Sequence, residues 1–246
     1  MAVVEKTIDI LGDENFSAVI LSKVMPENYP VDIYDEAVET LKTYALGLMT
    51  RIESVNFPNV TMVKAHALNG CKSLKRVSLP KATSLGSGAM RECTLLEEVN
   101  IPLVTYLPDY CFLEDRALVT VNFPSVTSTS TAPFFGCTGL KNVTMPRLRT
   151  FGGSLFYGCT GLERIDLPSV VTIGGNAFYY NTSLEEVNIG PDITTIATNA
   201  FDHTPDGMVI NLPVAEGVIS GAPWGATNAV INYETPYAGT VPIPED

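Results

Sequence analysis

Apolar positions along this chain repeat with a period of 22 residues. Proline shows the period most plainly: it returns every 22 residues from Pro58 to Pro168, and the next interval, to Pro191, is 23 residues because Gly190 is inserted. Apolar columns keep the same register on both sides of each proline. They begin with Ile52, Val55, Phe57, Val60 and Val63, and the column of Val63 is predicted to continue to Val218. A fixed period of this length predicts an array of stacked structural units.

Each unit has the form P-x-V-x-x-I-x-x-x-A-F-x-x-C-x-x-L-x-x-V-x-I. Its L-x-x-V-x-I end alternates apolar and polar residues and predicts a short β-strand, which the following proline ends. The A-F-x-x-C-x-x-L segment has helical spacing and predicts one short α-helical or 3-10 turn. A single coil cannot bury so many apolar columns, but stacked coils continue each column into the next coil. The predicted fold class is therefore a solenoid with parallel strands.

The clearest units carry a specific motif. Residues 167–174 read LPSVVTIG, Asn176-Ala177-Phe178 follows, and residues 184–187 read LEEV. This motif resembles the leucine-rich repeat of the bacterial surface antigen type, called BspA-like, over residues 36–233. The resemblance implies a leucine-rich-repeat solenoid, a right-handed superhelix of short parallel β-strands with short helical or 3-10 turns. Counted by the columns, the chain has about nine 22-residue repeats, which gives a length of roughly 40–45 Å at the usual strand spacing.

The ends of a solenoid expose apolar columns unless each end is capped. Residues 1–35 are the predicted N-terminal cap. The solenoid, residues 36–233, includes a predicted C-terminal cap around Trp224, the only tryptophan, which is expected to cover the last coil rather than to bind a ligand. Residues 234–246 contain three prolines and are predicted to form a flexible tail.

Composition limits the kinds of partner. The 246 residues are 46% hydrophobic and 17% charged, which predicts a folded chain rather than a disordered one. Fifteen Lys and Arg against 27 Asp and Glu give a net charge of −12, which argues against a nucleic acid or an anionic membrane surface as the partner. No apolar run approaches the roughly 18 residues of a membrane span, so no membrane insertion is expected.

Four of the five cysteines occupy one repeat column, namely Cys71, Cys93, Cys137 and Cys159. The column favours small buried fillers that remain free thiols. Neighbouring coils nevertheless place Cys71 beside Cys93, and Cys137 beside Cys159, at about 5 Å, which is within reach of a disulfide. A zinc site is disfavoured because stacked cysteines lie along a line rather than around a point.

The candidate catalytic groups do not form a constellation. The two histidines, His66 and His203, lie six coils apart, or roughly 30 Å at the strand spacing. Paired glutamates such as Glu97-Glu98 fall in repeat columns where charges alternate between neighbouring strands, which indicates register control rather than chemistry. No glycine-rich phosphate loop, zinc motif or nucleophile elbow is present. We therefore expect neither enzymatic activity nor a cofactor or metal.

One set of candidate partner-binding residues is the polar strip, a column of polar residues expected to face outward from the strands. Its members are Asn56, Ser78, Asn100, Asn122, Thr144, Asp166, Asn188 and Asn211, of which Asn100, Asn122, Asp166 and Asn188 are the candidate site residues. The side chains of the polar strip either hydrogen-bond one another or offer a flat surface to a partner chain or glycan.

The second set is the aromatic ladder, which comprises Leu113, Phe135, Tyr157, Tyr179 and Tyr180. The first four occupy the position after the large apolar residue of four consecutive coils, and Tyr180 follows Tyr179. Stacked rings at this position either shield the turns or form a strip suited to a protein or sugar partner.

Together these features predict a non-enzymatic protein- or glycan-binding module. The family resemblance implies attachment or interaction at a bacterial or phage-related surface, as a cell-surface or secreted protein with an unspecified ligand. Residues 1–16 lack a basic segment followed by a long apolar one, so no secretory signal is recognisable. The alternative functions are a structural subunit of a larger assembly and an intracellular interaction scaffold.

Overall fold

The structure, a computed structural model, describes residues 2–3 and 31–244 of the chain. Most of the predicted N-terminal cap, residues 1–35, lies outside the described residues. The predicted strand of each repeat is present, and these strands form a first row along the molecule. Most neighbouring strands of this row are paired in parallel and in repeat register, so that Val55 lies opposite Val77 and Val77 lies opposite Val99.

The first row comprises β1 (Ala2–Val3), β2 (Val31–Tyr34), β4 (Ile52–Asn56), β6 (Arg76–Ser78), β8 (Glu98–Asn100), β10 (Thr120–Asn122), β12 (Asn142–Thr144), β13 (Arg164–Leu167), β15 (Glu186–Ile189), β17 (Val209–Asn211) and β18 (Val230–Asn232). From β2 to β18 the row bounds nine coils, as the repeat count predicts. The inserted Gly190 is accommodated without loss of register, because Val187 still pairs with Ile210.

A second row of two-residue strands follows the prolines and was not predicted. It comprises β3 (Thr40–Leu41), β5 (Met62–Val63), β7 (Ser84–Leu85), β9 (Tyr106–Leu107), β11 (Ser128–Thr129), β14 (Thr172–Ile173) and β16 (Thr195–Ile196). Single bridges from Thr150 to Ser128 and to Thr172 continue the row where a strand is missing. Each coil thus contributes hydrogen bonds to its neighbours along two sides.

The predicted helical or 3-10 turn is not confirmed in detail. Between the two rows, the described residues form hydrogen-bonded turns and contain no helix. Two residues per repeat have positive φ, for example His66 at 57° and Gly70 at 71°, and the left-handed conformation interrupts a helix. Between them, the Leu68 N–H bonds to Ala89 O of the next coil at 2.8 Å, while the Asn69 N–H bonds to His66 O at 3.1 Å. Alternating bonds of this kind tie each turn to its neighbour, which a helix could not do.

The core consists of the predicted apolar columns, which run through the stack as continuous lines. Its largest side chains form a column of Phe112, Phe134, Phe156, Phe178 and Phe201, whose rings stack at centroid distances of 5.1–5.6 Å. Trp224 in the last coil is also fully buried, and its carbonyl group accepts from the Phe201 N–H at 2.9 Å. The assignment of Val218 to a buried column is wrong: Val218 is 64% exposed and the neighbouring Ile219 is buried instead. The last coil is shorter and more irregular than the repeat, which shifts the buried position by one residue.

The C-terminal segment has defined contacts where the sequence suggested flexibility. After β18 the chain turns back, and the Thr235 N–H donates to Leu212 O at 2.9 Å. Thr240 then reaches Asp166 of β13, which is three strands earlier in the first row. Residues 235–241 therefore cross the outer face of the first row, while residues 245 and 246 lie outside the described part.

Candidate interaction surface

The aromatic ladder is assembled by the turns of consecutive coils. The ring of Tyr157 stacks on that of Phe135 at a centroid distance of 4.4 Å and on that of Tyr179 at 4.7 Å. Tyr180 lies beside Tyr179 at 5.5 Å. Backbone bonds such as Gly158 N–H to Tyr179 O, 2.8 Å, fix the distance between turns and hence between rings. Leu113 is half-buried one coil before Phe135.

His203 extends the aromatic ladder and was not predicted as a member. Its ring lies 4.6 Å from that of Tyr179 and 5.2 Å from that of Tyr180. The signal was available in the sequence, because His203 follows Tyr180 by the 23-residue interval that contains Gly190. From here on the aromatic ladder includes His203.

The rings of the aromatic ladder remain accessible although they stack. Phe135, Tyr157 and Tyr179 are half-buried, and Tyr180 is 49% exposed. Desolvation by neighbouring groups, together with the nearby Tyr157, Tyr180 and Asp202, raises the pKa of the Tyr179 hydroxyl above its usual range. The hydroxyl of Tyr179 therefore stays protonated and can donate a hydrogen bond to a partner, while its ring offers an apolar face.

The polar strip divides into two halves. Asn56, Asn100 and Asn122 are exposed in the first half, whereas Asp166 and Asn188 are buried in the second. Side-chain amides of the second half form a chain of hydrogen bonds from Asn232 to Asn211, Asn188 and Asp166, with distances of 2.7, 2.7 and 2.9 Å. Asp166 is covered by Thr240 and Val241, which donate hydrogen bonds to its carboxylate.

All five cysteines are buried free thiols in the structure. In the main cysteine column each thiol donates to a backbone carbonyl of the preceding coil; Cys71 Sγ lies 3.0 Å from Leu46 O, and Cys137 Sγ lies 3.0 Å from Phe112 O. Burial raises the pKa values of Cys93, Cys137 and Cys159. Protonated, inaccessible thiols are poor nucleophiles and poor metal ligands, so this column stabilises the coils rather than performing chemistry.

Asp115 occupies the same column with a carboxyl group in place of a thiol. The carboxyl group is fully buried; Oδ1 accepts from the Cys93 N–H at 2.8 Å, and Oδ2 has no hydrogen-bond partner. Burial raises the pKa of Asp115 well above its usual range, despite the bond from Cys93. Since no open surface reaches this group, it is a cost to stability and not a candidate catalytic acid.

Within residues 2–3 and 31–244, no group of three or more His, Cys, Asp or Glu side chains is arranged to hold a metal ion. The same residues include no helix that is long and apolar enough to cross a membrane. An open recess of about 420 Å³ lies over β4, β6 and β8 and is lined in part by Asn56, Ser78 and Asn100.

The parallel rows, the 22-residue register and the continuous apolar columns define a leucine-rich-repeat solenoid. The chain belongs to the BspA-type leucine-rich repeat family, whose repeat region, in six copies, matches residues 31–134 and 105–216. No curated protein matches the chain.

Solved structures of bacterial leucine-rich repeat proteins are similar to this fold. The protein from T. pallidum (TpLRR) is 21% identical, with a TM-score of 0.55 over 74% of this chain and 91% of that one. A protein from Eubacterium ventriosum is also 21% identical, with a TM-score of 0.53 over 70% of this chain and 42% of that one. A cell surface protein from Faecalibacterium prausnitzii is 16% identical, with a TM-score of 0.45 over 89% and 92% of the two chains.

Proposed function

We propose that this protein is a non-enzymatic adhesion module that presents the aromatic ladder to a protein or glycan partner at a bacterial or phage-related surface. One observation carries the proposal: rings of Phe135, Tyr157, Tyr179 and His203 form a continuous accessible row that core packing does not require. The core already has its own phenylalanine column, so the aromatic ladder is additional to it.

The chemistry of the aromatic ladder suits both classes of partner. Aromatic faces pack against apolar side chains or sugar rings, while tyrosine hydroxyls supply hydrogen bonds at the edge. A solenoid surface offers area rather than an enclosed pocket, which favours macromolecular partners over small molecules. The exposed residues of the polar strip, Asn100 and Asn122, are a secondary part of the proposed surface.

The test is a double substitution, Tyr157→Ala with Tyr179→Ala, assayed on a glycan array and on a panel of immobilised host surface proteins. We expect every partner bound by the wild type to be bound at least about tenfold more weakly, a loss of about 1.4 kcal/mol. Stability should change little, because the rings are half-exposed. Tyr106→Ala, a 47% exposed tyrosine on β9 and outside the aromatic ladder, is the matched control.

A large loss of stability with unchanged binding would show that the aromatic ladder only shields the turns. Antibody fractionation of producing cells tests the location separately. A protein found only in the cytosol would contradict the surface role and favour an interaction scaffold, and a fixed stoichiometry within particles would favour a structural subunit.

A further inference from the structure

Residues 235–241 lie on the outer face of the first strand row and end on a single carboxylate. Asp166 Oδ2 accepts hydrogen bonds from the Thr240 N–H at 2.6 Å and the Thr240 hydroxyl at 2.7 Å, and the Val241 N–H is 3.4 Å away. These contacts join positions 74 and 75 residues apart in the chain. No other residue of the polar strip has a comparable set of main-chain donors among the described contacts.

The other carboxylate oxygen of Asp166 contacts residues of the sheet. Its Oδ1 accepts from Asn188 Nδ2 at 2.9 Å and lies 3.4 Å from Arg164 Nε. The side chain is only 4% exposed. Burial alone would raise the pKa of Asp166, but the hydrogen bonds from Thr240 and Asn188 outweigh it and hold the pKa below its usual range. A buried carboxylate that stays charged satisfies two separate groups of donors, one from the sheet and one from residues 240 and 241.

Residues 235–241 approach Asp166 closely at Gly239, which has no side chain. A Cβ atom on Gly239 would lie 2.3 Å from Tyr237 Oη and 2.8 Å from Asp166 Cγ, so a larger residue there would displace the Tyr237 ring or the Asp166 carboxyl group. Tyr237 Oη donates to Val241 O at 2.5 Å and so closes a compact loop around Gly239. Glycine, a hydroxyl residue and a β-branched residue in succession therefore form the contact.

The same face continues beyond the point where the segment ends. A recess of about 340 Å³ lies against Thr240 and Val241. It is lined by residues of β12 and β13 such as Thr144 and Arg164, and by Lys141, which precedes β12. The exposed first half of the polar strip follows, with its own recess over β4, β6 and β8. Residues 235–241 thus occupy one end of a longer polar face.

We propose that the sheet face centred on Asp166 is a binding site for a short looped peptide, and that residues 235–241 are its tethered occupant. The partner segment would contain a Gly-Thr-Val-like sequence in the same looped conformation, and its main-chain N–H groups and hydroxyl would bond to Asp166. Main-chain donors supply affinity, and the tight fit at glycine supplies specificity. Because the tethered segment has an effective concentration of order millimolar, it excludes a free peptide of the same sequence until it is displaced.

The test uses the full chain and a fluorescent peptide with the sequence of residues 233–244. In Gly239→Val the tethered segment should be expelled by the clash with Asp166, and the peptide should bind at least about tenfold more tightly than to the wild type. Adding Asp166→Asn to Gly239→Val should reverse this gain. Adding Asp192→Asn instead, at an exposed carboxylate paired with Arg149, should leave it unchanged. A peptide carrying valine in place of its glycine should not bind.

Hydrogen exchange verifies the release. The Thr240 and Val241 amides should be protected in the wild type and lose protection in Gly239→Val, while the Ile165 amide on β13 stays protected. Unprotected amides in the wild type, or a released Gly239→Val variant that fails to bind the peptide, would overturn the proposal. A wild-type dimer that exchanges its C-terminal segments would also overturn it, since the occupant would then be a second copy. The outcome is independent of the aromatic ladder, because Tyr157→Ala with Tyr179→Ala leaves this site intact.

Discussion

At the scale of single residues, the cysteine column shows which polar side chains find a hydrogen-bond partner in the interior of a coil. Its thiols are satisfied by carbonyl groups 25 residues earlier, as in the 3.1 Å bond from Cys93 Sγ to Leu68 O. Asp115 takes the same place one coil later, and the corresponding carbonyl group belongs to Met90. A charged carboxylate cannot donate a hydrogen bond to a carbonyl group, so the Asp115 side chain can replace the thiol as a donor only when it is protonated.

Asp115→Cys should therefore stabilise the protein at neutral pH by about 1–3 kcal/mol, because it replaces an under-satisfied buried carboxyl with the residue that the column favours. The Cys93 N–H keeps a partner, since Met90 O lies 3.3 Å away. The free energy of unfolding from urea titrations, compared between variant and wild type, measures the effect.

The pH dependence of Asp115→Cys follows from the raised pKa of Asp115. A carboxyl group whose pKa is raised on folding contributes stability that is present below the unfolded pKa of about 3.9 and is lost as the pH rises towards the folded pKa. The advantage of Asp115→Cys should accordingly grow above about pH 4, by up to about 1.4 kcal/mol per pH unit. Asp115→Asn, which removes only the charge, should show the same trend. A difference that is constant with pH would contradict this account.

At the scale of structural elements, the phenylalanine column is a repeated layer whose members tolerate a change of shape. The equivalent positions in the first coils are Leu46, Leu68 and Met90, all buried. The same turn therefore closes over an aliphatic side chain as well as over a ring. Size matters more than aromaticity at this position, because each member fills the space between its two neighbours.

Phe156→Ala should lower the free energy of unfolding by about 3–5 kcal/mol, since the cavity would lie between Phe134 and Phe178, whose rings are each 5.6 Å from that of Phe156. Phe156→Leu should cost less than about 1.5 kcal/mol, because the column already accepts leucine in other coils. Guanidinium denaturation of both variants provides the measurement. Equal costs for the two substitutions would mean that ring stacking, rather than filled volume, stabilises the column.

The elements also show which local features the sequence can predict. The strands of the first row follow from alternation at Val55, Val77 and their equivalents, since period two survives in every repeat. The second row was missed because two residues, as in Met62–Val63, are too few to show a period. The sequence predicts a helical or 3-10 turn because residues such as His66 and Glu92, as well as glycine, occupy the left-handed positions. Glycine alone therefore does not mark these positions.

At the scale of the whole molecule, the repeat translates sequence columns directly into rows of side chains. This is why the aromatic ladder could be predicted from the positions of Phe135, Tyr157 and Tyr179 alone. The covering of Asp166 could not be predicted, because its partner Thr240 lies outside the repeats and no column relates the two. Contacts made by a segment without periodicity depend on tertiary structure and leave no regular signal in the sequence.

The ends of the stack decide how the molecule unfolds, because each coil contacts only its neighbours. Trp224 lies in the last coil: it is fully buried, its Nε1 donates to Ser220 O at 2.8 Å, and its carbonyl group accepts from the Phe201 N–H at 2.9 Å. Trp224→Ala should cost about 3–5 kcal/mol, and Trp224→Phe clearly less, since phenylalanine keeps most of the buried aromatic volume.

In Trp224→Ala, protection from hydrogen exchange should be lost first in the last coils and only later in the rest of the stack. Hydrogen exchange should accelerate first at amides of the last coils, such as Phe201 and Leu212, while the Leu79 amide near the other end keeps its protection under the same conditions. Trp224→Phe should preserve the wild-type order of exchange. Equal acceleration at Leu79 and Leu212 would show that the coils unfold as a single cooperative unit, and the stabilising role of Trp224 would then extend to the entire stack.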